Sequence, residues 1–243
     1  MKAMVLAAGA GRRLRPLTDQ IPKALVEVGG IPMLELVIRR LVKAGADAVI
    51  VNTFHLAGQI EAFLKERDLG VPVAVSRETE LLDTGGGIKQ AAPFFSDGKP
   101  FFLHNGDVYS EIDLSRMYRA HKDSGALATL AVSDRATQRH LLFDAAGRLC
   151  GRHSLKDGFA WARAPVPRAS RLAFNGIHVV SPELLPRMSE TGVFPIMQTY
   201  LRLANEGAAI LPFRTDDCYY NDIGDAVKLA QVQARALEKG LPV

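Results

Sequence analysis

The sequence predicts an α/β fold: one domain, a Rossmann-like three-layer sandwich built around a mostly parallel, mixed central sheet. Short apolar runs alternate with amphipathic segments through the first half of the chain, as strands and helices do in such sheets. The chain has 243 residues, of which 48% are hydrophobic and 23% charged, which suits one buried core. It contains no internal repeat, which excludes solenoid and propeller folds.

The first elements follow in order from these patterns. Residues 2–8 form an apolar run that glycines end, a pattern typical of a strand buried on both faces. Residues 33–44 carry one apolar helical stripe, and Gly45 supplies a C-terminal stop. The pattern assigns four charged residues to the opposite, polar face of this helix: Glu35, Arg39, Arg40 and Lys43. The next predicted elements are a strand, a helix and two strands, at 48–53, 56–67, 71–76 and 101–104.

The second half is less regular. Strands are predicted over 126–132, 172–180 and 208–213, and helices over 194–206 and 225–238. The predicted inner stripe of the closing helix consists of Val227, Ala230, Ala234 and Leu237. Residues 152–171 are rich in Arg, Ala, Pro and Ser without periodicity, so we interpret them as a surface excursion of the same domain.

A glycine-rich segment with several cations follows the first strand. Glycines there allow backbone N–H groups to approach phosphates closely, and nearby cations neutralise the phosphate charge. A Walker A loop requires Lys and then Ser or Thr after its last glycine, but Gly11 is followed by two arginines. A dinucleotide fingerprint requires a third glycine where Leu14 stands, and Pro16 prevents a helix from beginning cleanly before it. Both of these phosphate loops are therefore excluded.

The segment resembles instead the signature of the sugar-phosphate nucleotidyltransferases, Leu-x-Ala-Gly-x-Gly-x-Arg-Leu/Met followed by Pro-Lys. Every fixed position is occupied here, from Leu6 to Leu14 and at Pro22-Lys23. The resemblance continues in order through four further runs: Asp83-Thr84-Gly85-Gly86-Gly87, Leu103-His104-Asn105-Gly106-Asp107, Phe174-Asn175-Gly176-Ile177 and Asn221-Asp222-Ile223-Gly224. It implies transfer of a nucleotidyl group from a nucleoside triphosphate to a sugar 1-phosphate, with release of pyrophosphate and with Mg²⁺ as cofactor.

The same resemblance implies one nucleotidyltransferase domain over residues 1–243. Residues 1–110 would form its nucleotide-binding half and residues 111–243 its sugar-phosphate-binding half. No hexapeptide repeat follows the last helix, so a C-terminal β-helix domain is not expected.

The resemblance also implies roles for individual residues. Asp107 and Asp222 would hold the Mg²⁺, which prefers one or two carboxylates together with phosphate oxygens and water. Taken alone, Asp107 equally fits a turn and Asp222 a helix cap. Arg13 and Lys23 would be the catalytic cations, Arg13 on the triphosphate and Lys23 near the α-phosphate and the sugar phosphate. The implied nucleotide-binding set is Ala8, Gly9, Gly11, Arg13, Lys23, Gly85 and Asp107, and the implied sugar-phosphate-binding set is Lys23, Asn175 and Gly176.

The substrates are less well defined. Among branches of the family, the chain is most similar to the short uridylyltransferases that act on N-acetylmuramate 1-phosphate, which favours UTP. Many relatives read the base with a Gln where this chain has Leu81, so base choice would depend on main-chain groups around Ala8, Gly9 and Gly85. A guanylyl- or thymidylyltransferase for a hexose 1-phosphate is the alternative within the family. A catalytically silent regulator that binds sugar nucleotides is another. Glycosyltransferases usually hold their metal with Asp-x-Asp, which this chain lacks.

The composition limits the partners and the compartment. Thirty basic residues against 26 acidic ones give a net charge of +4, an excess that we take as too small and too evenly spread for a nucleic-acid-binding protein. No stretch approaches the roughly 20 apolar residues of a membrane span. Cys150 and Cys218 fit neither a disulfide framework nor metal-ligand spacing. We therefore expect a cytoplasmic monomer or homodimer without nucleic-acid or membrane partners.

Overall fold

Fourteen strands and seven α-helices build the computed structural model, which describes residues 1–243. The strands are β1 (Lys2–Leu6), β2 (Glu27–Val28), β3 (Ile31–Pro32), β4 (Ala48–Thr53), β5 (Val73–Arg77), β6 (Phe101–Asn105), β7 (Val108–Ser110), β8 (Ala128–Ser133), β9 (Arg139–Phe143), β10 (Leu149–Ser154), β11 (Gly158–Trp161), β12 (Ser170–Val180), β13 (Ile210–Arg214) and β14 (Tyr220–Asp222). The helices are α1 (Leu17–Gln20), α2 (Met33–Lys43), α3 (Ala57–Glu66), α4 (Asp83–Ala91), α5 (Leu114–Ser124), α6 (Ile196–Asn205) and α7 (Ala226–Lys239).

Ten of the strands form one mixed sheet. Its main path runs β11-β10-β9-β12-β6-β1-β4-β5, and β8 and β13 extend it beside β12. β1 pairs in parallel with β4 and β6, and β4 pairs in parallel with β5. β12 is antiparallel to β6, β8 and β9, where the second half of the chain begins. The predicted α/β fold with a mixed central sheet is thus confirmed, and the parallel strands of the first half end at one common edge.

Two hydrophobic clusters cover the two faces of the sheet. One contains 29 buried residues, with contributions from α2 and α7, and the other contains 24, with contributions from α4 and α6. Successive residues of β1 alternate between them: Ala3 and Val5 belong to the first cluster and Met4 to the second. Because both clusters are large and lie beneath helices, the sheet is covered on both faces, as predicted for a three-layer sandwich. None of the helices combines the length and apolar composition that crossing a membrane requires.

The predicted inner stripe of the closing helix is wrong. Val227, Ala230, Ala234 and Leu237 are all exposed, Leu237 by 84%. The buried face of α7 instead contains Val232 and Ala236. Both sets of residues repeat every three or four positions, so periodicity alone could not distinguish them. Tertiary packing decides which face of α7 is buried, because Val232 and Ala236 belong to the same core cluster as the residues of α2.

Two charged residues of α2 are buried although the pattern assigned them to its polar face. Glu35 is buried and pairs with Arg39 at 2.7 Å. Arg40 donates through Nη1 to the Ser110 hydroxyl at 2.8 Å and through Nη2 to the Ile112 carbonyl at 2.6 Å. Burial lowers the pKa of Arg40 to about 10, and these two hydrogen bonds replace its lost hydration. The segment after β7 therefore covers a face that the sequence predicts to be open.

Residues 152–171 are more regular than predicted. β10, which begins at Leu149, and β11 form an antiparallel hairpin that extends into this range, and β10 pairs with β9 on its other side. β12 then begins at Ser170 and pairs with β9. The range is therefore the outer part of the central sheet, and its exposed faces explain why it lacks an apolar alternation.

Candidate active site

A cavity of about 450 Å³ opens where the parallel strands end. This is the edge at which open α/β sheets bind ligands, and its volume lies in the usual range of ligand pockets. Five predicted nucleotide-binding residues line it: Ala8, Gly9, Gly11, Lys23 and Asp107. The other lining residues are Leu6, Ala7, Ala24, Asn52, Glu78, Leu81, Asp83, Thr84, Asn105, Gly106 and Val193. The glycine-rich segment and Asp107, which are far apart in sequence, thus share one cavity.

The loop after β1 is folded tightly around Gly11. This residue has a φ of +61°, and a Cβ there would lie 2.8 Å from Thr18 Cγ2 and 3.2 Å from Lys23 Cβ. The Thr18 hydroxyl donates to the Gly11 carbonyl at 2.9 Å. A glycine is therefore required at this position, and its packing holds Lys23 beside the loop. At Gly9, in contrast, nothing lies within 4 Å of where a Cβ would be, which leaves its backbone open to a ligand.

Two polar residues that sequence analysis did not select connect the walls of the cavity. Asn52 accepts the Ala7 N–H at 2.8 Å and donates to Glu78 Oε1 at 2.7 Å. The other oxygen of Glu78 accepts the Leu82 N–H at 3.0 Å. A Cβ on Gly87 would lie 2.7 Å from Glu78 Oε1, so glycine leaves the space that the pair occupies. The Asn52–Glu78 pair thereby fixes the end of β1 relative to the start of α4.

Asp107 and Asp222 are brought together by the short antiparallel ribbon of β7 and β14. The Ile223 N–H donates to the Asp107 carbonyl at 2.9 Å, next to the ribbon. Lys23 forms an ion pair with Asp107, and Lys228 forms one with Asp222 at 2.5 Å. The two aspartate side chains remain 30% and 20% exposed, so a ligand can reach both.

The helix-capping alternative for Asp222 does not apply, because Asp225 caps α7 by accepting the Lys228 N–H at 3.0 Å. Burial raises the pKa of Asp222, but the hydrogen bond from Lys228, the charges of Lys228 and Lys23 and the N–H of Gly224 outweigh burial. The resulting pKa lies below its ordinary value, so Asp222 is ionised at neutral pH.

The carboxylates of Asp107 and Asp222 fit a divalent cation of the Mg²⁺ type. Each carboxylate already forms an ion pair with one lysine, which shows that a cation can reach it. No third His, Cys, Asp or Glu joins them in a metal-binding group. Phosphate oxygens and water would supply the remaining ligands, which is the donor set that Mg²⁺ prefers.

Arg13 lies beside the Asp222 end of the site rather than in the wall of the cavity. Its side chain is exposed, and a Cβ added to Gly224 would lie 2.8 Å from Arg13 Nη2. The glycine after Asp222-Ile223 therefore leaves room for this guanidinium. Lys23 thus lies at Asp107 and Arg13 near Asp222, where its exposed guanidinium can meet an anion.

The Thr-Gly-Gly-Gly run differs from its predicted form, a loop open to the base. It lies in the first turns of α4, and Gly85 is buried against Phe194. The N–H of Gly85 donates to the Phe194 carbonyl at 2.9 Å, so it is not free for a base. Thr84 and Asp83, in the same first turn of α4, line the cavity instead.

The predicted sugar-phosphate residues Asn175 and Gly176 lie behind the cavity wall. Asn175 is fully buried. Its amide makes hydrogen bonds with Ser133, Thr215 and Arg135. Gly176 has a φ of +70°, and a Cβ there would lie 2.6 Å from Asn105 Nδ2. Gly176 therefore packs against Asn105, which lines the cavity, and the structure brings neither Asn175 nor Gly176 into the cavity itself.

Comparisons with known proteins agree on one family. The model of the nucleotidyl transferase family matches residues 2–140. An N-acetylmuramate alpha-1-phosphate uridylyltransferase of Caulobacter vibrioides is 32% identical over 84% of this chain and 85% of its own length. A mannose-1-phosphate guanyltransferase beta-B of Xenopus laevis is 30% identical over 81% of this chain and 56% of its own length.

The chain spans only part of several curated relatives that it matches, with 36%, 52% and 56% of their lengths covered in three cases. Among solved structures, a UDP-glucose pyrophosphorylase of Acinetobacter baumannii superposes with a TM-score of 0.80 at 21% identity. That superposition covers 98% of this chain and 94% of the other. At this identity the likeness concerns the fold, and it extends over nearly the whole chain.

Proposed function

We propose, from the premise that this chain belongs to the nucleotidyl transferase family, that it transfers a nucleotidyl group to a sugar 1-phosphate. The observation that carries the proposal is the cavity at the ends of the parallel strands. The glycine-rich loop, Lys23 and Asp107 share that cavity, and Asp222 adjoins it through the β7–β14 ribbon. Phosphate-binding backbone, cations and a carboxylate pair are what a reaction between two anions requires.

The reaction is an in-line displacement at the α-phosphorus. An oxygen of the sugar 1-phosphate forms a bond to that phosphorus, the bond to the bridging oxygen of the β-phosphate breaks, and pyrophosphate leaves. The attacking phosphate is already anionic near neutral pH, so no general base is needed. The protein's task is to hold two mutually repelling anions in line and to neutralise their charge.

Individual residues divide this task. The open backbone at Gly9 binds phosphate oxygens, and Arg13 meets the triphosphate from the side of Asp222. Lys23 moves from Asp107 to the α-phosphate and the incoming sugar phosphate. Asp107 and Asp222 would hold Mg²⁺, which when bound supplies neutralising charge on the triphosphate.

For the substrates we propose UTP and N-acetylmuramate 1-phosphate. The relative from Caulobacter vibrioides, named for that activity, aligns over most of both chains. Guanylyl transfer to a hexose 1-phosphate is the second candidate, because the Xenopus laevis guanyltransferase aligns over 81% of this chain. Leu81 lines the cavity without an amide to read a base edge, which is compatible with either base. We place the reaction in the cytoplasm, where nucleoside triphosphates are available and the free Cys150 and Cys218 stay reduced.

Pyrophosphate release with Mg²⁺ tests the proposal across a grid of four nucleoside triphosphates and several sugar 1-phosphates. Turnover should concentrate on one triphosphate and one acceptor. Asp107→Asn should lower it by at least about 100-fold with an unchanged thermal midpoint, because the change removes charge and not volume. Asp217→Asn is the matched control, since Asp217 is exposed and forms no ion pair.

Activity of Asp107→Asn within tenfold of the unmodified protein would show that Asp107 is not a metal ligand. If no pair of substrates on the grid were turned over and a finished nucleotide sugar bound tightly, the protein would be a regulator and not an enzyme.

A further inference from the structure

The positive charge of this chain is concentrated in one segment. Residues 135–171 contain eight of its 30 basic residues and two of its 26 acidic ones, although the whole chain carries only +4. The rest of the chain is therefore slightly acidic, and the expectation of an evenly spread excess is wrong. Of the eight basic side chains, only Arg163 has a carboxylate partner, Asp144. A field of this sign attracts anions to the outer part of the sheet.

Within this segment, five side chains lie on one face of the outer strands. His153 in β10 lies opposite both His140 in β9 and Phe159 in β11, and directly opposed residues share a face. The Phe159 ring is 4.5 Å from the ring of His153 and 5.6 Å from that of Trp161, to which it is parallel. Arg171 stacks on Phe159 at 5.0 Å. We call this set the hairpin face: His140, His153, Phe159, Trp161 and Arg171.

Arg171 is the arginine of the hairpin face, and its guanidinium group is available to a ligand. Its side chain is exposed and is held by stacking on Phe159, with no hydrogen bond or ion pair to the protein. Stacking uses the flat face of a guanidinium and leaves its N–H edge free. That edge matches the two oxygens of a carboxylate in a bidentate pair.

The hairpin face is continuous with the proposed active site through Arg135. Arg135 donates through Nη2 to the Phe174 carbonyl at 3.0 Å, and Phe174 lies three residues after Arg171 in β12. Arg135 stacks on the Tyr220 ring at 4.7 Å. Tyr220 begins β14, the strand that ends at Asp222. Arg135 and Tyr220 thus connect the strand of Arg171 with the strand that ends at Asp222.

We propose that the hairpin face is a subsite for a carboxylate carried by the sugar of the acceptor. Arg171 binds the carboxylate, and the aromatic side chains of Phe159 and Trp161 pack beside the sugar. In the proposed reaction the 1-phosphate binds near Lys23, so an anion at Arg171 belongs to another part of the acceptor. The inference rests on the proposed function and adds where the carboxylate of an acidic acceptor such as N-acetylmuramate 1-phosphate binds.

Two matched pairs of acceptors test this inference. N-acetylmuramate 1-phosphate is compared with N-acetylglucosamine 1-phosphate, and glucuronate 1-phosphate with glucose 1-phosphate. Within each pair the carboxylate is the feature that changes the charge. Arg171→Gln should raise KM for the preferred acidic acceptor by at least about tenfold, because a charge-assisted hydrogen bond is lost. KM for its neutral counterpart and for the triphosphate should change by less than about twofold.

Arg152→Gln is the matched control. Arg152 is also exposed and precedes His153 in β10, so its side chain points to the opposite face of the sheet. Equal losses with acidic and neutral acceptors in Arg171→Gln would overturn the subsite, because Arg171 would then bind the 1-phosphate or act on the fold. Equal effects of Arg152→Gln and Arg171→Gln would also overturn it, since general electrostatic attraction would explain both.

Calorimetric titration with the same sugar phosphates separates this inference from the proposed function. If the protein turns over neither member of a pair but binds the acidic one more tightly through Arg171, the subsite stands and the catalytic proposal fails. If the neutral members bind as well as the acidic ones, or if none binds, the subsite is refuted.

Discussion

Gly85→Ala should destabilise this protein although the residue lies in a helix, where alanine is ordinarily favoured. A Cβ at Gly85 would overlap the Phe194 ring and lie 2.8 Å from the Phe194 carbonyl oxygen. That carbonyl already accepts the N–H of Gly85 at 2.9 Å and of Gly86 at 3.2 Å. The added methyl group therefore cannot be accommodated by a side-chain rotation alone, and the chain before α6 must move away from α4.

The magnitude follows from opposing contributions. Overpacking of a well-packed site costs about 1–3 kcal/mol, and each weakened hydrogen bond adds about 1 kcal/mol. The higher helix propensity of alanine relative to glycine offsets at most about 1 kcal/mol of this loss. The net loss should be about 2–4 kcal/mol. Gly58 provides the matched control, because it is helical and exposed and nothing lies within 4 Å of its missing Cβ. Gly58→Ala should be neutral or stabilising by up to about 1 kcal/mol.

Urea unfolding of the two variants, followed by circular dichroism, measures these opposite signs directly. The Gly85→Ala variant should also bind the triphosphate more weakly, because Thr84 and Asp83 line the cavity from the same turn. If Gly85→Ala unfolded at the same or a higher urea concentration than the unmodified protein, the close contact of α4 with Phe194 would not be a stability determinant.

Two further predictions concern the core. Val232→Ala should lower the free energy of unfolding in urea by about 1–3 kcal/mol, because Val232 is fully buried. Val227→Ala, on the exposed face of α7, should change it by less than about 0.5 kcal/mol. Equal losses in the two variants would mean that Val227 is buried as the sequence predicted. Burial, followed by the charge of His104, lowers the pKa of His178 to about 3, so its neutral form is favoured by folding. The stabilising contribution of neutral His178 should be complete above pH 6.5 and should decrease as the pH falls towards 3. Urea unfolding midpoints measured from pH 7 to 4 test this. An unchanged midpoint in this range would contradict a neutral, buried His178.

The sequence predicted the central strands well because they are continuous apolar runs. Predicted strands at 48–53 and 101–104 correspond to β4 and β6 within one residue at each end. Periodicity failed where two solutions share the same spacing, as on α7, or where a charged residue finds buried partners, as Arg40 does. It also failed for β10 and β11, whose faces carry arginines, histidines and aromatic residues instead of an apolar alternation.

For the candidate site, motifs located the residues that lie on one continuous stretch of chain or at the end of a strand. Asn52 and Glu78 were missed, although both lie at the carboxyl ends of predicted strands, where a ligand is expected. Their hydrogen bond joins residues 26 positions apart and exists only once β4 and β5 are paired. The roles of Arg13, Asn175 and Gly176 depend on a bound substrate, and they stay predictions until the acceptor is identified.

The β7–β14 ribbon makes the arrangement of Asp107 and Asp222 more fragile than the fold. Its two strands have three residues each, and they join Asp107 to a residue 115 positions later in the chain. Short segments of this kind open locally at a fraction of the free energy of global unfolding. Opening of β14 separates the two carboxylates while the ten-stranded sheet stays intact. The bidentate pair of Arg235 with Glu111, at 2.6 Å for each bond, ties α7 to the end of β7 and opposes that opening. This ion pair therefore helps to keep the two carboxylates together.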